Sequence, residues 1–167
     1  MPDAPSAVEF GGPQALCIGL IADTHGLLRP QALAALAGSD LIIHAGDIGA
    51  PEILEELARI APVTAVRGNN DTMRWAAGLR ATEVLHAGAL SIYVIHDIAE
   101  LDLDPAAAGF DVVVAGHSHK PSQARNDGVL YINPGSAGPR RFLLPVAVGR
   151  LRVQGTQMTP ELITLEI

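Results

Sequence analysis

Five short polar segments, each preceded by an aliphatic run, constrain the fold of this chain more than any other feature. They are Asp23–Gly26, Gly46–Asp47, Gly68–Asp71, His96–Asp97 and Gly116–His119. A short apolar run that ends in a polar turn is typical of a buried strand, so each segment is expected directly after a strand. In open α/β sheets, ligands bind beyond the carboxyl ends of the strands. The sequence therefore predicts that five strand ends deliver polar side chains to one place.

The apolar pattern predicts strands alternating with helices in the first half of the chain and consecutive strands in the second half. Predicted helices cover 30–37 and 51–60, with a helical turn over 71–77 and a short helix over 101–108. Predicted strands cover 16–22, 40–45, 62–66, 82–86, 90–96, 111–115, 129–133 and 142–148, and a hairpin with Gly155 near its turn covers 150–167. This order indicates the α/β class, with a pair of mixed sheets covered by helices.

Length and composition indicate one domain without a membrane segment. The apolar share of 49%, with only 4% aromatic residues among 167, indicates a core of Leu, Ile, Val and Ala. Residues 1–13, rich in Pro, Ala and Gly, are expected to form a flexible leader ahead of a single domain over 14–167. They lack the basic start and apolar segment of a signal peptide, and no window reaches the roughly 18 apolar residues of a membrane helix. A cytoplasmic location is therefore expected.

Charge and cysteine content argue against several kinds of site. The net charge of −7 argues against a general nucleic-acid-binding surface, because such a surface needs a basic face to hold phosphates. Local recognition of one phosphate group, as in a small phosphodiester, remains compatible with this charge. Cys17 is the only cysteine, so the chain has neither an internal disulfide nor a cysteine-rich zinc site.

Histidines and one aspartate at short spacings are the first candidate metal ligands. Asp23 and His25 stand two positions apart, so on extended backbone their side chains point the same way. His117 and His119 repeat this spacing, and His96 ends a further apolar run. Neutral imidazole is a common ligand of first-row transition metals. An Asp-x-His pair often only caps a turn, whereas two histidines directly after a strand are hard to explain as core residues.

Asp47 and Asn69 offer oxygen ligands between these histidines. The two oxygens of Asp47 can each bind a different ion, since ions in two-metal sites stand about 3.5–4 Å apart. The alternative role of Asp47 is to cap the helix that begins near Pro51. Asn69 can ligate through its amide oxygen without adding charge, and Gly68 lets the backbone approach closely, although Gly-Asn turns are also common without metal.

The five segments, taken in order, resemble the calcineurin-like metallophosphoesterases, and most closely their small YfcE-like phosphodiesterase branch. The resemblance extends from about Cys17 to about Arg141 and includes the late loop that begins at Asn133. It implies a four-layer α/β/β/α sandwich, with two mixed sheets flanked by helices. It also implies two divalent transition-metal ions, with manganese favoured and iron, nickel or zinc suitable. Asp23, His25, Asp47 and His119 would hold the first ion, and Asp47, Asn69, His96 and His117 the second.

The resemblance implies phosphodiester hydrolysis by water that the two ions activate for in-line attack on phosphorus. Arg67 and Arg140 are candidate contacts to the phosphoryl oxygens. Asn70 stands where stronger members of the superfamily carry a histidine that assists the leaving group, so protonation of that group is expected to be weak. Asp97 stands where a glycine is common, and either orients His96 or crowds the substrate.

Two other functions fit parts of the pattern. A catalytically weak protein-interaction scaffold on the same fold is free to lose metal ligands, whereas all seven positions are filled here. A single-metal protein would leave two of the ligands, either Asn69 and His96 or Asp23 and His25, unexplained. The apolar stretch 142–146 is either core or interface, and an interface there would allow a homodimer.

Overall fold

A computed structural model of the chain describes residues 9–10 and 15–167. The strands are β1 Glu9–Phe10, β2 Leu16–Ile21, β3 Leu41–His44, β4 Val63–Ala65, β5 Thr82–Ala87, β6 Leu90–Ile95, β7 Val112–Val114, β8 Ser122–Asn126, β9 Val129–Asn133, β10 Ala147–Gln154 and β11 Gln157–Thr164. The α-helices are α1 Pro30–Leu36 and α2 Pro51–Ala58, and short 3-10 helices cover Arg74–Ala76 and Ile98–Glu100. The strands form a six-stranded sheet of order β1-β5-β6-β7-β9-β8 and a five-stranded sheet of order β11-β10-β2-β3-β4.

Alternate side chains of the buried strands form the layer between the two sheets. Ile18 and Leu20 of β2 belong to the same buried cluster as Ile92 and Val94 of β6. The two-residue spacing follows from the pleat, which turns successive side chains to opposite faces. Burial of this apolar surface is the main contribution that holds the sheets together.

The outer faces of the sheets are covered differently. Helices α1 and α2 cover the five-stranded sheet, where Leu36 and Leu57 pack in one cluster with Ile42 of β3. Both helices begin with a proline, which the first helical turn tolerates. On the six-stranded sheet, Leu101 and Phe110 cover the outer face from a segment of turns and one 3-10 helix. The α/β sandwich expected from the sequence is confirmed, with this lighter outer layer on one side.

The topology brings the polar segments together. Strands β2, β3 and β4 run parallel in one sheet, and β6, β7 and β9 run parallel in the other. Because parallel strands end at the same edge, the segments after β2, β3 and β4 lie next to one another. The segments after β6 and β7 reach the same place from the second sheet. The hydrogen bond between His96 and the carbonyl of Ala45 and that from the N–H of His117 to Oδ2 of Asp23 show this.

Two predicted elements are wrong. Residues 101–108 form turns and not a helix, because Pro105 stands in their middle and the Asp104 carboxylate accepts from the N–H of Ala106 at 3.1 Å. The strand predicted over 142–148 begins only at Ala147. Phe142 and Leu143 are 87% and 91% exposed, so the apolar stretch 142–146 does not enter the core at those two residues.

Strand β8 was not predicted from the apolar pattern, because all five of its residues are exposed. It pairs antiparallel with β9 through the turn Asp127-Gly128, in which both residues have positive φ, 52° and 78°. An Asp-Gly pair between two strands is a strong hairpin signal. That turn, and not hydrophobicity, is the feature of the sequence from which β8 could have been found.

The two ends of the chain complete the sheets. The leader predicted for 1–13 lies outside the described residues except for Glu9–Phe10, which pair in parallel with His86 and Ala87. The predicted C-terminal hairpin is confirmed as β10 and β11, with Gly155 at its turn. None of the helices that the structure describes is long and apolar enough to cross a membrane.

Candidate metal centre

Five of the seven predicted ligands have a left-handed backbone conformation. Their φ angles are 54° for Asp23, 45° for His25, 55° for Asp47, 72° for His117 and 61° for His119. Residues other than glycine rarely adopt this conformation, and it persists only where surrounding contacts impose it. Its concentration in these five residues indicates that the fold holds them for a function and not for stability.

Backbone hydrogen bonds impose this geometry by joining the loops after β2 and β3. The N–H of Asp23 donates to the carbonyl of Gly46 at 3.0 Å, and that of His25 to the carbonyl of Asp47 at 2.9 Å. The N–H of Gly26 then donates to the carbonyl of Ile48 at 2.8 Å. The two loops therefore form a single ladder, and neither can move its ligands without the other.

The first set of ligand atoms contains Asp23, His25 and His119. The Nε2 atoms of His25 and His119 lie 3.3 Å apart. Oδ1 of Asp23 lies 3.6 Å from Nε2 of His119 and 3.8 Å from Nε2 of His25. One oxygen and two imidazole nitrogens thus surround a common point within coordination range of a cation.

The second set contains Asp47, Asn69, His96 and His117. Oδ1 of Asn69 lies 3.0 Å from Nε2 of His96 and 3.1 Å from Nδ1 of His117. Nε2 of His96 lies 3.3 Å from Oδ2 of Asp47. The amide oxygen of Asn69 therefore lies beside the same imidazole, His96, as the carboxylate of Asp47. Its predicted role as a neutral ligand requires this position.

Asp47 lies between the two sets and presents the same oxygen to both. Its Oδ2 is 3.7 Å from Nε2 of His25 in the first set and 3.3 Å from Nε2 of His96 in the second. Its Oδ1 accepts the N–H of Asn70 at 2.9 Å. The sequence analysis expected one oxygen for each ion, whereas here a single oxygen faces both sets.

Contacts on the far side orient two of the imidazoles. Nδ1 of His96 donates to the carbonyl of Ala45 at 2.7 Å, which turns Nε2 toward the second set. Nε2 of His117 lies 3.6 Å from the carboxylate of Asp97, so Nδ1 faces the second set. Asp97 therefore lies beside His117, whereas the sequence analysis expected it either to orient His96 or to crowd the substrate.

A cation fits this donor set. Oδ1 of Asp23 is completely buried and has no hydrogen-bond partner among the described residues, although two imidazoles face it. A buried carboxylate oxygen without a partner is costly, and in proteins such an atom is normally paired or bound to metal. Mixed carboxylate, amide and imidazole donors suit divalent transition metals. The residues present therefore match the pair of ions that the sequence implies.

The electrostatics of the site without metal depend chiefly on burial. Burial raises the pKa of Asp23 to about 7 and lowers that of His119 to about 4. Burial alone would raise the pKa of Asp47, but hydrogen bonds from His96 and from the N–H of Asn70 bring it below its ordinary value. His25 also has a lowered pKa because it is partly buried. The first set thus favours neutral imidazoles, the form that binds metal.

Asp71 supports the second loop and was not singled out in the sequence analysis. Its buried carboxylate accepts the N–H groups of Ile48 at 2.9 Å, Gly49 at 3.1 Å and Gly68 at 2.9 Å. These bonds connect the loop that carries Asp47 to the loop that carries Asn69. The aspartate of the Gly-Asn-x-Asp motif is the signal from which this role could have been expected.

His44 has a comparable role below the first set. It is fully buried, and its Nδ1 accepts the N–H of Gly46 at 3.1 Å while its Nε2 donates to Oγ1 of Thr24 at 2.9 Å. The Thr24 hydroxyl in turn donates to the carbonyl of Ile48 at 2.8 Å. Burial lowers the pKa of His44 to about 3, so this buried chain of hydrogen bonds stays uncharged. His44 is not a ligand, in agreement with the sequence analysis.

The structure separates the arginines near the site. Arg67 lines a cavity of about 430 Å³ together with Asn69 and His96. Arg140 lines a different cavity, against Val146 and the C-terminal Leu165. The positive charge that opposes protonation of the first set comes from Arg141, which acts on Asp23, His25 and His119. The sequence analysis named Arg67 and Arg140 as candidate contacts and did not consider Arg141.

Comparison with known proteins identifies the family. The family model described as the calcineurin-like phosphoesterase superfamily domain matches residues 16–156 of this chain. This range includes all seven predicted ligands. The chain belongs to this superfamily. The resemblance inferred from the motifs is thereby confirmed, and membership supports a hydrolase acting on phosphate esters.

Individual relatives agree with this membership. A probable metallophosphoesterase of Methanothermobacter thermautotrophicus is 32% identical over 160 residues, covering 89% of this chain and 92% of the relative. A phosphodiesterase of Methanocaldococcus jannaschii is 28% identical over 137 residues, covering 71% and 82%. The structure of Vps29 from Entamoeba histolytica complexed with Zn²⁺ has a TM-score of 0.72 at 24% identity, covering 87% of this chain and 90% of that one.

Asp71→Asn is expected to destabilise the metal-free protein by about 3 kcal/mol. The amide has one acceptor oxygen where the carboxylate has two, so some of the N–H groups that Asp71 binds are left buried without an acceptor. Urea denaturation in the presence of chelator measures this loss. Asp40→Asn is the matched control, since the exposed Asp40 accepts only the N–H of Cys17. The control is expected to lose less than about 1 kcal/mol, and equal losses in the two variants would contradict the role of Asp71.

The raised pKa of Asp23 predicts a pH-dependent stability of the metal-free protein. The folded state keeps a proton on Asp23 up to about pH 7, whereas the unfolded chain releases it near 3.8. The protonated carboxyl therefore contributes fully to folding stability at pH values below the pKa of Asp23 in the unfolded chain. This contribution is lost as the pH rises through the pKa of Asp23 in the folded protein. Relative to Asp23→Asn, the wild type is expected to lose stability to urea between about pH 5 and pH 8. Parallel pH profiles would show that Asp23 is already ionised in the folded protein.

Proposed function

We propose that this protein is a metal-dependent phosphodiesterase with a dinuclear centre, in which Asp47 is shared by the two ions. The observation that carries the proposal is the convergence of two ligand sets on one oxygen, Oδ2 of Asp47, beside the orphaned Oδ1 of Asp23. A phosphodiesterase of Methanocaldococcus jannaschii among the relatives supports the reaction class. The zinc in the Vps29 structure supports metal binding by this fold. The preference for manganese, the cytoplasmic location and a homodimer stay predictions.

Bound divalent ions would supply two kinds of chemistry, lowering the pKa of water and neutralising phosphoryl oxygens as charge develops. The protein's own contribution is to hold the donors in place. The left-handed backbone and the ladder between the two loops fix Asp23, His25 and Asp47 before any substrate arrives. Preorganised donors need no rearrangement during reaction, which is the main source of electrostatic catalysis.

Asn70 acts on the shared carboxylate and not on the leaving group. Its side-chain N–H donates to Oδ2 of Asp47 at 3.0 Å and its backbone N–H to Oδ1. An amide has no proton to give at neutral pH, so this position orients Asp47 and leaves departure of the alcohol unassisted. We infer that esters with acidic leaving groups are the best substrates.

Arg141 is the arginine that we assign to the phosphoryl group. The segment before it is fixed to the first set, because the hydroxyl of Ser136 donates to the carbonyl of Asp23 at 2.9 Å. Gly138 packs so closely on Thr24 that an added Cβ would lie 2.2 Å from its carbonyl oxygen. Arg141 follows this anchored stretch on the exposed side, where a guanidinium can contact phosphate oxygens.

The proposed activity is tested by hydrolysis of bis-p-nitrophenyl phosphate with Mn²⁺ and with chelator. Turnover is expected only with metal, because without bound cations the ligand residues cannot neutralise the negative charge of the phosphate group. Asp47→Asn, which removes the shared charge, is expected to lower kcat by about 100-fold or more. Metal-independent turnover, or full activity in Asp47→Asn, would exclude the dinuclear proposal. Bound metal without any turnover would favour the interaction scaffold.

The assignment of Arg141 is tested against its neighbour. Arg141→Ala is expected to lower kcat/KM for the same diester about tenfold, since a hydrogen bond to a charged group contributes roughly 1.5–3 kcal/mol. Arg140→Ala is the matched control, with the same charge removed one position away, and is expected to change kcat/KM less than about twofold. Both rates are measured at one ionic strength. Equal losses of kcat/KM in the two variants would mean that net charge, and not a contact from Arg141, affects the reaction.

A further inference from the structure

A small cavity of about 180 Å³ lies directly beside the second ligand set. His117 forms part of its wall, while Nδ1 of the same imidazole faces Asn69 and His96. A phosphate ester held at the ligand atoms would therefore have one substituent within reach of this cavity. Apart from His117 and Asp97, its lining residues take no part in the two ligand sets.

The lining of the cavity is largely apolar and uncharged. Ile98, Val113 and Tyr131 supply its apolar walls. Asn133 is turned inward, because its amide donates to the carbonyl of Gly116 and to Oγ of Ser118 and its Oδ1 accepts the N–H of Gly135. The Ser118 hydroxyl accepts two hydrogen bonds, from Asn133 and from the N–H of Lys120, and keeps its own proton for a ligand.

Charge is confined to the side of the cavity at His117. The carboxylate of Asp97 lies 3.6 Å from Nε2 of His117, and both residues line the cavity. A carboxylate there repels an anionic substituent but not a neutral one. The neighbouring cavity of about 430 Å³ differs, since Arg67, Glu100 and Asp102 make it polar. The two cavities that meet at Asp97 therefore favour different parts of a substrate.

Size restricts the occupant further. An apolar cavity of roughly 150 Å³ is enough to hold benzene. A volume of about 180 Å³ therefore accepts one ring but not a ring with a large attached group. Apolar walls and the hydroxyl groups of Ser118, Ser122 and Tyr131 suit a planar, neutral group that carries a hydrogen-bond acceptor.

We propose that the cavity beside His117 binds a neutral, single-ring substituent of the substrate ester, and that Ile98 is a specificity-determining residue. This inference rests on the proposed phosphodiesterase function, because it names the class of ester that the site accepts. Ile98 is 44% exposed and stands at the start of the 3-10 helix that follows Asp97. Its side chain can therefore be replaced with little effect on the core.

The test compares the binding of phenylphosphonate and methylphosphonate to the Mn²⁺-loaded protein by titration calorimetry. The two probes share a phosphonate group that the protein cannot hydrolyse as an ester and differ only in the organic group. The wild type is expected to bind phenylphosphonate about tenfold more tightly, as is typical for a well-fitted apolar contact. Ile98→Trp, which occupies the cavity, and Ile98→Asp, which adds charge to it, are each expected to abolish this preference, measured as the ratio of the two affinities within one variant.

Ile167→Trp and Ile167→Asp are the matched controls, because Ile167 is 55% exposed and lies outside the cavity. Both are expected to keep the tenfold preference. Equal affinities of the two probes for the wild type would overturn the inference, and so would a preference that survives in either Ile98 variant. Thermal unfolding verifies that each variant is folded. Loss of diester hydrolysis with retained phenyl preference would refute the proposed reaction but not this binding site, so the two failures are distinguishable.

Discussion

The carboxylate of Asp47 lies where the two sheets meet, and the rest of the site depends on how it is held. Its Oδ1 and Oδ2 accept the backbone and side-chain N–H groups of Asn70, and its carbonyl accepts the N–H of His25. Gly68 must be glycine for this approach, since an added Cβ would lie 2.1 Å from Oδ1. The loop after β4 and the loop after β2 therefore fix one residue of the loop after β3 from opposite sides. A shared ligand needs such a position, because its oxygen has to be at the correct distance from two ligand sets at once.

Holding these groups ready has a cost that the fold offsets elsewhere. Left-handed backbone at a residue other than glycine costs on the order of 1 kcal/mol or more, and a buried carboxylate oxygen without a partner, such as Oδ1 of Asp23, costs several times that. The packed layer between the sheets and the buried hydrogen bonds of Asp71 and His44 offset this cost. A bound cation would remove the largest part of it by pairing Oδ1 of Asp23. Metal binding and folding stability are therefore coupled in this chain.

Sequence reasoning was most successful where one physical rule determines the outcome. Apolar runs ending in polar residues located β2, β3, β6 and β7, because burial on both faces leaves a strong compositional signal. The same rule failed for the exposed strand β8, which has no buried face, and for Phe142, an apolar residue that the loop leaves in solvent.

The finer geometry of the site depends on positions that no pattern encodes. Residue types and spacing selected seven residues that the fold brings together, but they could not show that Oδ2 of Asp47 faces both sets or that Asp97 lies beside His117. The sequence analysis singled out Arg67 and Arg140, whereas Arg141 is the arginine whose charge acts on the first set.

The charge of the site also explains why a chain with a net charge of −7 can act on an anion. Asp47, whose pKa is held below its ordinary value, keeps a negative charge in the unloaded donor set, and this charge repels a phosphate ester. The donors that repel the substrate are the donors that attract divalent cations, and two such cations would reverse the local sign. Under the proposed function, affinity for the substrate would be conditional on metal, and Arg141 would add a contact at the rim. The small cavities beside His117 and Arg67 would then determine which esters enter.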